Sequence, residues 1–153
     1  FSINLIIFFW NIVCSNPPIY AQNNIVSGNH VKALKEYTNR ALAYKFYEEQ
    51  MADALPSYQY HIDIAQTFNS YFKDSFRASA VLMNVAKKHH RNPEILKAVA
   101  FNLQAINAPR QAVTIYQQLL SLRPTYGQSY RDLANALKEN NQLFQWNQWK
   151  IRL

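Results

Sequence analysis

The sequence contains few of the residues that reverse a backbone tightly or crosslink it. Only two glycines and a single cysteine, Cys14, occur among its 153 residues. Hairpin turns rely on glycine, so a hairpin-rich all-β fold is disfavoured. One cysteine excludes both an internal disulfide framework and a multi-cysteine metal site. Long helices joined by short turns are therefore favoured.

Charged residues are also scarce. They make up 16% of the chain against 49% hydrophobic residues, whereas a disordered chain is poor in apolar and rich in charged residues. The length predicts one folded domain. The net charge of +7 would suit an anionic partner, such as nucleic acid, an acidic protein or an anionic membrane surface. The alternative is that the positive charge only keeps the protein soluble. The basic run at 87–91 falls where a helix should end, where positive side chains complement the helix dipole.

The N-terminal region has the form of an export signal. An apolar run at 5–13 is followed by two prolines and by small Ala21, which predicts a signal peptide over 1–21 and a polar linker over 22–29. The run is shorter than the roughly 20 apolar residues of a membrane-spanning helix, so no transmembrane span is expected in the mature chain. Two alternatives stay open, a retained buried helix and a lipid anchor on Cys14, although bulky Val13 argues against the anchor.

Residues 30–55 predict one long amphipathic helix. Apolar side chains recur there at helical spacing, and Pro56 ends the pattern. The stripe comprises Val31, Leu34, Tyr37, Ala41, Leu42, Lys45 and Phe46.

From residue 56 onward, small and large apolar residues recur at a period close to 34. Ala65, Ala100 and Ala134 lie 35 and 34 residues apart, and a larger residue follows each of them three positions later. Small residues let two antiparallel helices approach closely, while larger ones fill the seam between helix pairs. The predicted packing set is Ala65, Phe68, Ala78, Leu82, Val85, Leu96, Ala100, Leu103, Ala112, Tyr116, Leu119, Pro124, Ala134 and Leu137.

This period is typical of tetratricopeptide (TPR) repeats. The predicted fold class is all-α, a TPR-like solenoid of antiparallel helix pairs forming a right-handed superhelix, with a preceding long helix. Pro93 and Pro109 mark helix starts, and Asn92 is suited to cap the first of them. The predicted repeats are 56–91, 92–125 and a partial third at 126–142, with helices at 57–72, 75–90, 93–106 and 109–121 and another from about 126.

The end of the chain departs from the repeat pattern. Trp146 stands where the second helix of a third pair should offer a small residue. Residues 143–153 are therefore either an atypical capping helix or a truncated end.

Four segments resemble one bacterial group within the TPR family. They are NPEILKAVAF (92–101), QAVTIY (111–116), LRP (122–124) and QSYRDLA (128–134). The chain is similar there to the TPR segment of exported bacterial proteins that also carry vault-inter-α-trypsin and von Willebrand A-type domains. The resemblance implies an extracytoplasmic protein, in the periplasm or at the cell surface, whose repeats pack on other domains or on a partner.

The same resemblance implies a binding groove lined by the first helix of each pair. It assigns to that groove Lys97, Phe101, Gln104, Arg131, Asn135 and Lys138. The cations would form charge-assisted hydrogen bonds with carboxylates of an extended acidic or C-terminal peptide, and Phe101 would be an apolar anchor. The alternative is a solvated groove, or one filled by the helix at 30–55.

No pattern in the sequence indicates catalysis, a cofactor or a metal. His89 and His90 are adjacent and so point to different faces of a helix, and His61 has no further ligand at a helical offset. Acidic residues are scattered, and no nucleophile motif occurs. We therefore expect a protein-protein interaction scaffold that is not an enzyme and has no small-molecule substrate. The alternatives are a purely structural spacer of a larger surface protein and, with least support, a basic nucleic-acid adaptor, because 87–91 lacks interleaved aromatic residues.

Overall fold

The computed structural model describes residues 29–125 and 127–139, and this part of the chain contains helices and no strands. The all-α class is therefore confirmed for it. The described residues up to Ala54 form one compact unit, and those from Leu55 onward form another. The predicted signal peptide at 1–21, the linker up to residue 28 and the segment at 143–153 lie outside the described residues.

The first unit corrects the prediction of one long helix over 30–55. It contains α1 (His30–Lys35) and α2 (Arg40–Phe46), and α2 continues into a π-helical turn, Tyr47–Met51. The break arises because the Asn39 side chain accepts a hydrogen bond from the backbone N–H of Ala41 at 2.8 Å, which begins a new helix there. The Tyr37 and Phe46 rings lie 5.2 Å apart between centroids, so the two short helices share an aromatic contact.

The second unit consists of five helices whose bounds agree closely with the predicted ones. They are α3 (Tyr58–Ser70), α4 (Ser75–Lys88), α5 (Pro93–Ala105), α6 (Pro109–Leu122) and α7 (Gly127–Glu139). Local capping explains the helix starts. Pro93 occupies the first turn of α5, and Asn92 Oδ1 accepts hydrogen bonds from the N–H groups of Glu94 and Ile95 at 3.1 and 3.2 Å.

Consecutive helices of this unit pack against each other, and α3 also contacts α5 while α4 contacts α6. The connections within α3–α4 and α5–α6 are only a few residues long, so each pair is a helical hairpin. Both hairpins turn in the same way. Lys73 and Asn107, one repeat apart, have positive φ angles of 54° and 61° just before the second helix of their pair.

The packing set predicted from the period lies in the interior of this unit, with one exception. Pro124 is exposed in the turn between α6 and α7. The buried members are Ala65, Phe68, Ala78, Leu82, Val85, Leu96, Ala100, Leu103, Ala112, Tyr116, Leu119, Ala134 and Leu137.

Within the described ranges, the structure contains no helix whose length and apolarity would allow it to cross a membrane.

Candidate functional site

The candidate site is the surface formed by the first helix of each pair, α3, α5 and α7, which we call the first-helix face. Phe101 stands in the middle of α5 with 68% of its surface exposed. Gln66 on α3 and Asn135 on α7 hold the corresponding positions one repeat before and after it, and both are exposed. An aromatic ring this exposed contributes little to the core, so it is available for contact with another molecule.

The six residues predicted to line a groove are not equivalent in the structure. Phe101, Arg131, Asn135 and Lys138 are exposed, whereas Lys97 and Gln104 are partly buried. The charges on this face are mixed, since Asp63, Glu94, Asp132 and Glu139 lie on the same three helices as the cations. The face therefore lacks the uniformly positive field that would attract any polyanion.

Both the nitrogen and the oxygen of the Gln104 side-chain amide form hydrogen bonds within the protein. Its Nε2 donates a hydrogen bond to Glu139 Oε2 at 2.9 Å, and its Oε1 accepts one from the Tyr116 hydroxyl at 2.6 Å. The amide joins α5 to α6 and to α7. Gln104 thus holds helices together, and a partner could bind its amide only by displacing these bonds.

Tyr116 is the buried end of this chain of hydrogen bonds. Burial raises the pKa of its hydroxyl well above the ordinary value of 10, and the negative charges of Asp132 and Glu139 raise the pKa further. The hydroxyl therefore stays protonated at neutral pH and remains a donor to Gln104.

Arg131 is positioned by its neighbours on α7. Its Nε and Nη2 both donate to Gln128 Oε1, at 3.1 and 2.9 Å, and Gln128 Nε2 donates to Asp132 Oδ1 at 2.6 Å. Arg131 forms no ion pair with any carboxylate of the described chain. Its guanidinium is held in one orientation and keeps donors available for an anionic group.

A second surface feature was not anticipated from the sequence. An open cleft of about 680 Å³ lies between the second helices, α4 and α6. Its lining includes Met83, Ala86 and Lys87 from α4, with Thr114, Ile115 and Gln118 from α6. Gln118 Nε2 donates to the carbonyl oxygen of His90 at 2.9 Å, which closes one end of the cleft.

The histidines do not come together with other metal-ligating residues. His61 is buried on α3, whereas His90 follows α4 with its ring Nδ1 3.2 Å from the carbonyl oxygen of Lys87. In the part of the chain that the structure describes, no group of three or more His, Cys, Asp or Glu side chains is arranged to hold a metal ion.

The chain matches no family model, and no curated protein matches it.

Proposed function

We propose that this chain is a TPR-like scaffold that binds a protein or peptide on the first-helix face. Two regularities support the repeat arrangement. The buried columns recur at a period close to 34, and the positive-φ residues Lys73 and Asn107 occupy equivalent places in two hairpins. The first helix α3 contacts α5, and α5 is bonded to α7 through Gln104 and Glu139, which supports one continuous surface along the first helices.

The observation that carries the binding proposal is the exposure of Phe101. An aromatic ring that is 68% exposed on a rigid helix is the kind of anchor that dominates protein interfaces, because it removes a large apolar area from water. Arg131 and Asn135 are exposed on α7, the next first helix, and could supply polar groups to the same partner. The partner is an extended segment with an apolar side chain for Phe101 and a carboxylate for Arg131.

The resemblance to exported bacterial TPR proteins and the signal-like N-terminal sequence support a location in the periplasm or at the cell surface. Fusion of residues 1–29 to a reporter that folds only after export tests this part. We expect an active reporter and cleavage after Ala21. Retention of an uncleaved, inactive fusion would contradict it.

Site-specific photo-crosslinking tests the binding face. A photoreactive phenylalanine analogue is placed at Phe101 or, as the control, at Leu122, which is 39% exposed at the end of the second helix α6 and outside the α4–α6 cleft. We expect a discrete crosslinked product in the producing cells from position 101 only. Charge reversal at Lys97 and Arg131 should remove that product while the helical circular dichroism is unchanged.

A structural spacer is the second candidate, and the hydrogen bonds of Gln104 favour it. They commit polar groups of the first-helix face to holding helices together. A spacer predicts no crosslink at position 101 and no effect of charge reversal. It also predicts that removing the flanking segments lowers the melting temperature, because terminal repeats without caps expose apolar surface.

A further inference from the structure

The charges of the second unit are distributed unequally between first and second helices. α4 and α6 carry Arg77, Lys87, Lys88 and Arg110, and neither helix contains an acidic residue. The carboxylates lie on the first helices or, as with Asp74, in a cap. Asp74 is buried and pairs with Arg77 at 2.6 Å, three residues further along the chain. The second-helix face is therefore cationic, in contrast to the mixed first-helix face.

The cleft between α4 and α6 adds an apolar recess to this cationic face. Ile115 and Ala86 form its floor with 1% and 2% of their surfaces exposed, and the flexible side chain of Met83 lines one wall. Lys87 stands at the rim, exposed, and it forms no ion pair with any residue within the described ranges. The apolar side chain of Met83 and the uncompensated cation of Lys87 thus lie about one helical turn apart.

We propose that the α4–α6 cleft binds a short extended segment of a partner protein in which an acidic residue follows an apolar one by two positions. Met83 and Lys87 are four residues apart on α4, which is about 6 Å at 1.5 Å rise per residue. Side chains on one face of an extended peptide repeat every second residue, at about 6.6 Å. The apolar side chain fills the recess over Ile115, and the carboxylate reaches Lys87.

A partly exposed stripe of α4 continues from the cleft towards the N-terminal end of this helix. Phe76, Ala80 and Met83 lie at helical spacing on the same face as Lys87, and Phe76 is 80% exposed. A second apolar residue of the segment contacts Phe76. From Phe76 to Lys87 the stripe is about 16 Å long, which an extended chain of about five residues spans.

The shape and lining of the cleft select a peptide over other anions. A flat anionic membrane cannot reach a floor as deeply buried as Ile115 and Ala86. Among the residues that line the cleft only His90 carries an aromatic ring, and Phe76 lies apart from it at the other end of the stripe, so successive bases of a single-stranded nucleic acid would lack a row of adjacent stacking surfaces. An open cleft covers only one side of its ligand, which suits a chain that continues past it better than an isolated small molecule.

Fluorescence anisotropy with the full chain tests the proposal. The probe is a labelled heptapeptide in which two leucines and one glutamate alternate with serines, and the control probe carries lysine in place of the glutamate. We expect saturable binding of the first probe only. Lys87→Glu should weaken it about tenfold or more, since attraction becomes repulsion.

Lys88→Glu is the matched control, because it makes the same charge change at the same helix end outside the cleft. It should change the affinity less than twofold, as should Phe101→Ala on the first-helix face. Met83→Ala should weaken binding severalfold without altering the charge. This pattern separates the cleft from the proposed first-helix site, since each site has its own sensitive variant.

Three results would overturn the proposal. One is equal affinity for the parent protein and Lys87→Glu, or no binding of the glutamate probe at all. Another is an equal loss in Lys88→Glu, which would indicate general electrostatic attraction. The third is Lys87-dependent binding of phosphatidylserine vesicles or of a single-stranded oligonucleotide without any binding of the peptide, which would assign the face to lipid or nucleic acid.

Discussion

Gln104 on α5 and Glu139 on α7 are hydrogen bonded at 2.9 Å although they lie 35 residues apart in the sequence. A second bond of this kind joins Gln66 on α3 to Asn102 on α5, at 3.2 Å and 36 residues apart. Each bond spans about one repeat. The first helices are thus tied to each other by polar side chains on the same face on which we propose that a partner binds.

The bond from Tyr116 to Gln104 should stabilise the unit measurably. Gln104→Ala leaves a buried hydroxyl without its acceptor, so we expect the free energy of unfolding to fall by about 1–3 kcal/mol. Urea denaturation followed by circular dichroism measures it. In a Tyr116→Phe background the same substitution should cost clearly less, because the hydroxyl is gone. Equal costs in both backgrounds would contradict the coupling.

Ser129 should be replaceable by alanine at no cost. Its Oγ is fully buried and bonds to no residue that the structure describes, whereas Ser79 Oγ donates to the carbonyl oxygen of Phe76 at 2.8 Å. We expect Ser129→Ala to raise the free energy of unfolding by up to about 1 kcal/mol and Ser79→Ala to lower it by about 1 kcal/mol. A lower melting temperature for Ser129→Ala would show that its hydroxyl is satisfied.

Exchanging lysine and asparagine at the equivalent turn positions 73 and 107 should change the free energy of unfolding in opposite directions. Asparagine tolerates the left-handed conformation better than lysine does, because its short side chain can bond to the local backbone. Lys73→Asn should therefore raise the free energy of unfolding by a few tenths of a kcal/mol to about 1 kcal/mol, and Asn107→Lys should lower it by a similar amount. Thermal denaturation of both variants checks this, and shifts of the same sign would refute it.

Stability should decrease in alkaline solution. Burial raises the pKa of Tyr37 to about 12, with a smaller effect of Glu49, and burial likewise raises the pKa of Tyr47 and Tyr116. Unfolded tyrosines ionise near pH 10, so the unfolded state loses protons first. This contribution to stability is complete below pH 10 and is lost as the pH rises through the folded-state pKa.

Urea denaturation at several pH values from 8 to 11.5 measures this decrease. Tyr116→Phe should reduce the slope of stability against pH for the second unit, because one group that titrates differently in the two states is removed. An identical slope in this variant and the parent protein would mean that Tyr116 ionises alike in both states.

The sequence could predict the helices of the second unit because their boundaries are set locally. Prolines at the first helical position and the Asn92 side chain act on amides within three residues. These helix-start signals can therefore be recognised in the sequence without knowledge of the tertiary structure. The same reasoning was wrong at 30–55. In that segment apolar residues keep their helical spacing across the break between Lys35 and Arg40. The spacing therefore did not indicate that Asn39 caps a new helix.

The sequence alone predicted the all-α class and the period of the buried columns, because helical geometry fixes which residues share a face. The partners of Gln104 and the cleft between α4 and α6 were decided only by tertiary structure. They bring together side chains roughly one repeat apart, and whether such groups meet depends on how whole helices pack rather than on any local preference.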